Sequence, residues 1–254
     1  MQKKIGLTGL TVTLLIVSLL LFFTVACGKK AEQAKKHFDQ AVQYEEQKMP
    51  EEALKEYKQA IQLNPQYADA HYRLGALYHT LNAFSSAIDE YQKVLEIDPN
   101  YPGIHTAMAH VYYVRGMNTW VSAMKLDQMK YWRADTLRQL PYGDKAELLN
   151  LIQTYQNSLK SDTTHAEIFS KLSQAYYVLA VDEYQKAIEE NPSDTSAILY
   201  LALTYSEQGY PQKARAEYEN LQKVDPRAAA VLQNMFDQRA KEEEYYESLK
   251  KKGE

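Results

Sequence analysis

Cys27 is the only cysteine in a chain of 254 residues, and the six histidines stand at 37, 71, 79, 105, 110 and 165. A metal site needs several such ligands at short spacings, and this scatter offers none. No His-Glu-x-x-His, Gly-x-Ser-x-Gly, phosphate-cradling glycine loop or calcium loop of alternating acids occurs. The sequence therefore predicts no catalytic residue, no metal, no cofactor and no small-molecule substrate. A formal net charge of -4 supplies no basic field for phosphates, so nucleic acid is not an expected partner.

Cys27 has a context that suggests its chemistry. Met1-Gln2-Lys3-Lys4 precedes an uncharged run from Ile5 to Ala26, which ends in a small residue, as an export signal does. An uncleaved anchor is the alternative, because about 20 apolar residues suffice to span a bilayer. Phe23-Thr24-Val25-Ala26-Cys27 resembles a bacterial lipoprotein cleavage box, with Thr24 where that family most often has Leu. The resemblance implies that residues 1–26 are removed and that Cys27 carries lipid, palmitate included. Gly28 then implies an outer membrane, facing the periplasm, in a host with two membranes.

The rest of the chain must be built from elements that suit a tethered body. Only 9 Gly and 8 Pro occur, well below the roughly 12% that these residues usually supply, which favours helices over a turn-rich β fold. Tyr is favoured heavily, 21 against 6 Phe and 2 Trp, as suits rings that pack while their hydroxyls reach water or a partner.

A period organises these helices. Tyr57-x2-Ala60-x4-Pro65 recurs as Tyr91-x2-Val94-x4-Pro99, Pro65 and Pro99 are 34 apart, and so are Pro192 and Pro226. Leu74, Gly75 and Tyr78 share one helical face, where Gly75 admits a close partner helix. Pro50 and Pro211 suit helix starts, while Asn64, Asp98, Asn191 and Asp225 each precede a proline and so end a helix. This pattern resembles the tetratricopeptide repeat, two antiparallel helices per 34 residues, most clearly over 34–101 and 195–228. The resemblance implies an all-α solenoid of helical hairpins.

Pro99 and Pro192 are 93 residues apart, nine short of three units. The pairs Tyr112/Trp120 and Tyr176/Tyr184 are eight apart where regular units have 13, so two shortened units are expected. About six units follow: 34–67, 68–101, 102–130, 131–165, 166–194 and 195–228. Losing a turn fuses the helices it joined, giving rods from about Ile104 to about Leu140 and from His165 to about Glu190. A break at Gly116 is the alternative. The domains are then a signal peptide at 1–26, a lipidated linker at 27–33, the solenoid at 34–228, and a capping helix and tail at 229–254. The cap should carry Val231, Leu232, Met235 and Phe236 on one side.

The repeat phase places Tyr72, Arg73, His79, His110, Tyr113, Gln174, Tyr177 and Tyr200 on the concave face as candidate partner contacts. Packing between neighbouring first helices is the alternative for each Tyr. Chaperone-binding members of the family hold a peptide carboxylate with Lys and Asn; the corresponding positions here are Phe38, Val42, Tyr72 and Ala76, so that ligand is not implied. Met108, Met117, Met124 and Met129 fall with both Trp between 108 and 132, a mixture suited to an irregular core or an adaptable interface. The resulting reading is a non-catalytic, membrane-tethered scaffold of the bacterial envelope that binds other envelope proteins or peptides. A signal-anchored inner-membrane subunit of a secretion or assembly complex, and a small-ligand binder or enzyme using the middle segment, are the alternatives.

Overall fold

The computed structural model describes residues 28–126, 145–161 and 166–252. These form ten helices and no strand: α1 (28–46), α2 (Pro50–Leu63), α3 (Ala68–Thr80), α4 (Phe84–Ile97), α5 (Ile104–Leu126), α6 (Lys145–Ser161), α7 (Ala166–Glu190), α8 (Thr195–Glu207), α9 (Pro211–Val224) and α10 (Pro226–Lys252). They fall into two compact units, 1–101 and 102–254. Among the described residues no helix is long and apolar enough to cross a membrane. The expected signal segment and Cys27 lie outside them.

In the first unit, α1–α2 and α3–α4 are the two expected hairpins. Ala41, Ala53, Tyr57, Leu74 and Leu77 form a buried cluster, with Phe38, Val42 and Tyr78 packed against it. Pro50 opens α2 with Glu51 and Glu52 in the positive first turn. The closing residues Asn64 and Asp98 leave the helical region at φ -135° and -138°, as the prolines after them require. Gly75 is a notch: a Cβ there would lie 2.7 Å from the Tyr91 ring and 3.3 Å from the Ala87 carbonyl oxygen.

The turns within the regular hairpins share one construction. Lys48, Asn82 and Gly209 all adopt left-handed backbone, at φ 59°, 58° and 72°. The amides that follow, of Met49, Ala83 and Tyr210, donate to the carbonyls of Tyr44, Tyr78 and Tyr205 at 2.8–2.9 Å. This reversal satisfies carbonyls that a helix end would otherwise leave bare.

The second unit keeps the fused rods and changes their partnership. α5 runs unbroken through Gly116, and α7 covers Ala166–Glu190 as a single helix. The expected extension of the first rod to Leu140 falls outside the described residues. The two rods pack antiparallel on each other: His105 near the start of α5 meets Glu183 near the end of α7, and Ser173 Oγ donates to the Gly116 carbonyl at 2.8 Å. Two shortened units side by side are thus replaced by one hairpin, and among the described residues four hairpins stand where about six units were expected. His37 and His71 reach glutamates 19 residues on, whereas His105 reaches one 78 residues on, so the third hairpin carries a 59-residue insertion. Gly116 stands 34 residues after Asn82, where a regular repeat would turn; here the helix continues. α6, inside the insertion, buries Leu148 and Ile152 and packs on α7.

Two smaller differences concern the ends. Residues 28–33, expected as linker, already belong to α1, because Lys29–Met49 holds no Gly or Pro and is rich in Ala, Lys, Glu and Gln. In α10, Ala229 and Leu232 are buried and Phe236 half-buried, but Val231 and Met235 remain 56% and 41% exposed. The capping stripe is therefore narrower than predicted.

Candidate partner-binding faces

α3 presents Tyr72 and His79, seven residues apart, with Arg73 beside them. The half-buried Tyr72 ring lies 5.7 Å from Tyr91 and 5.2 Å from Tyr101, and the Tyr101 hydroxyl donates to Asp69 at 2.7 Å. Burial, then Asp69, push the Tyr101 hydroxyl above its ordinary range, so it stays a donor. Arg73 is exposed and makes no ion pair among the described residues. His79 rests 6.2 Å from Phe84, and burial lowers its pKa, which favours the neutral ring.

In the second unit the predicted residues converge, but inward. His110 meets Tyr200 edge-on at 4.3 Å, Tyr113 meets Tyr200 at 5.5 Å and Tyr177 at 6.0 Å, and Tyr184 stacks on Tyr200 at 6.3 Å. Tyr113, Gln174 and Tyr177 are 7%, 3% and 3% exposed. These three are core residues of the α5–α7 contact, a correction to their assignment as partner contacts. The rods turn toward each other the faces that the repeat phase would have turned to a groove. His110 and Tyr200 stay half-exposed. Met108 is core, Met117 is exposed, and Met129 and Trp132 lie outside the described residues.

The sequence reading missed a ladder. His37, His71 and His105 are 34 apart, and their Nδ1 atoms meet Glu56, Glu90 and Glu183 at 2.5–2.6 Å. His71 Nε2 also faces the Pro65 carbonyl, and His105 Nε2 faces Glu190, both at 3.2 Å, so both nitrogens of these two rings meet acceptors. Glu183 is 1% exposed and also binds Lys145 at the start of α6, which pins the insertion to the hairpin. The shared 34-residue step of these histidines was the available signal. Among the described residues no group of three metal-binding side chains occurs. An open cleft of about 780 Å³ lies against α9 and α10, lined by Pro211, Tyr218, Gln222, Phe236 and Arg239 among others. It lies outside the 105–180 stretch to which the small-ligand reading pointed.

Residues 45–111 match the family model described as tetratricopeptide repeat. Over that stretch the chain carries tetratricopeptide repeats. Solved structures similar to this repeat protein include TTC0263, a thermophilic TPR protein in Thermus thermophilus, at 15% identity and a TM-score of 0.38, over 81% of this chain and 97% of that one. YrrB, a TPR protein with an unusual peptide-binding site, is 17% identical with a TM-score of 0.33, over 84% and 97%. MamA 41-end from Desulfovibrio magneticus RS-1 is 15% identical with a TM-score of 0.32, over 76% and 96%. No curated protein matches the sequence. At these identities and TM-scores the likeness carries nothing about ligand or partner.

Proposed function

We propose that the chain is a non-catalytic adaptor of the bacterial envelope, tethered through lipid on Cys27, that holds partner polypeptides on its first helices. The observation that carries the binding part is α3: Tyr72 and His79 keep exposed surface, and Arg73 beside them has no acidic partner among the described residues. Rings with one wet edge and an unspent guanidinium suit a peptide segment bearing a carboxylate. His110 and Tyr200 offer a second, smaller aromatic face within the other unit. The tethering part rests on residues 1–28 of the sequence.

Two measurements test it. A photo-crosslinking amino acid at position 72 should capture a defined envelope protein, and the capture should vanish on Arg73→Ala. Equal capture from exposed position 55 on α2 would reject α3 as the binding face. Mass measurement of the mature N-terminus should find lipidated Cys27 in the natural chain and none in Cys27→Ala. An intact Met1 would instead favour the signal-anchored subunit.

A further inference from the structure

We propose that the outer face of α1 lies against an anionic phospholipid surface, so that the first hairpin is held down on the membrane rather than standing off it. The proposal rests on the tethering reading. Its structural basis is that α1 is already helical at Gly28, the residue after Cys27, which leaves no slack between the lipid attachment point and the folded body.

The face itself is defined by spacing. Ala34 and Ala41 are fully buried and set the inward side of α1. Lys29, Gln33, Lys36, Gln40, Gln43 and Gln47 follow one another at steps of three or four on the opposite side. That stripe holds two cations and four amides over about five turns, roughly 27 Å of helix, and is bordered by the carboxylates of Glu32 and Asp39. Lys30 stands on one flank. Lys29, Lys30 and Lys36 are exposed and make no ion pair among the described residues, whereas Lys35 on the other flank is held by Asp39 at 2.7 Å.

Lysines that form no ion pair beside a lipid anchor are attracted to phosphate headgroups, and the attraction falls off within about 8–10 Å. Lys29 and Lys30 sit within one turn of residue 27, and the glutamines can donate to phosphate and ester oxygens along the rest of the stripe. The lipid then decides where the chain sits, and the lysines decide how it leans.

The test uses the full lipidated chain in phosphatidylcholine vesicles with or without phosphatidylglycerol, both containing a headgroup nitroxide quencher. A fluorophore is placed by Gln40→Cys, Cys27 being consumed by its lipid, or by Lys55→Cys on α2 as the control. Quenching at position 40 should rise when phosphatidylglycerol is present and fall on Lys29→Gln, Lys30→Gln and Lys36→Gln, by roughly fivefold in the lying-to-standing ratio per lysine. Flotation with either vesicle should be unchanged. Position 55 should respond in none of these conditions. Quenching at position 40 that ignores phosphatidylglycerol or the triple substitution overturns the proposal and leaves the tether intact. Failure to float with either vesicle rejects the tether and this proposal with it.

Discussion

Gly116 of α5 lies under the ring of Tyr177 of α7, so closely that a Cβ on Gly116 would stand 2.8 Å from the ring and 3.3 Å from the Ser173 carbonyl oxygen. Gly75 and Tyr91 reproduce the same notch in the first unit, with 2.7 Å and 3.3 Å to the Tyr91 ring and the Ala87 carbonyl. Gly116→Ala gains up to about 1 kcal/mol of helix propensity but forces a packed ring and a backbone apart, at a cost of about 1–3 kcal/mol. A net loss is expected at both Gly116→Ala and Gly75→Ala, measured by urea unfolding. Stabilisation at either position would mean that the ring has room to move.

Glu183 should matter more than its counterparts. It is 1% exposed and binds both His105 and Lys145, while Glu56 and Glu90 are 15% and 23% exposed and each serve one histidine. Removing one member of a buried, hydrogen-bonded charge pair costs about 3–5 kcal/mol. Glu183→Ala is expected to approach that loss, with Glu56→Ala and Glu90→Ala clearly smaller. Hydrogen exchange in α6 should speed up only for Glu183→Ala, because Lys145 loses its nearer, buried anchor there and keeps the longer contact to Asp182 at 3.5 Å.

Tyr177→Ala empties a packed site between two rods, and truncating a buried aromatic side chain costs about 3–5 kcal/mol. Tyr72→Ala removes a half-exposed ring and should cost distinctly less. Thermal unfolding of the two variants checks the order; equal losses would return Tyr72 to the core.

Much of this arrangement is legible in the sequence. Prolines after Asn64, Asp98 and Asp225 mark helix ends, Gly75 marks a close approach, and the stretch without Gly or Pro after Gly116 marks a rod. The pairing of the rods is not, because a period reports the distance between helices that are neighbours in sequence and is silent once an insertion separates them. Tyr112-Tyr113 and Tyr176-Tyr177 invite alignment as equals, although they sit on opposite sides of one contact. Two features point the other way: His105 continues the step of His37 and His71, and Glu183-Tyr184 repeats Glu56-Tyr57 and Glu90-Tyr91. The same error carried Tyr113, Gln174 and Tyr177 from the core to the proposed binding face.

Lys48 occupies the left-handed turn position that Asn and Gly fill at 82 and 209. Left-handed backbone costs an ordinary L residue about 1–2 kcal/mol, partly offset by the greater freedom of glycine when unfolded. Lys48→Gly is expected to raise stability by about 0.5–1 kcal/mol in urea titration, and Lys48→Val to lower it.

His79 supplies a pH dependence whose sign follows from burial. Its pKa is lowered from an ordinary value of 6.5, so below that value the unfolded chain binds a proton that the folded chain resists. This contribution weakens the fold as pH falls through 6.5 and reaches its full size below the folded pKa. His79→Gln should flatten unfolding free energy between about pH 7 and pH 5 relative to the natural chain. An unchanged slope would place the proton-sensitive group elsewhere.

The position of Gly116 has a bearing on how the long arm relates to its host. The second half of the third hairpin resumes the repeat frame at Tyr176, with Glu183 and Tyr184 where Glu90 and Tyr91 lie in the unit before. Splicing out 117–175 would therefore join a glycine, the residue type best suited to left-handed backbone, directly to the helix that must follow the reversal. The arm behaves as a graft at a permissive joint: the hairpin beneath it keeps its own grammar, and α8 finds the same docking edge on α7 whatever length the graft has.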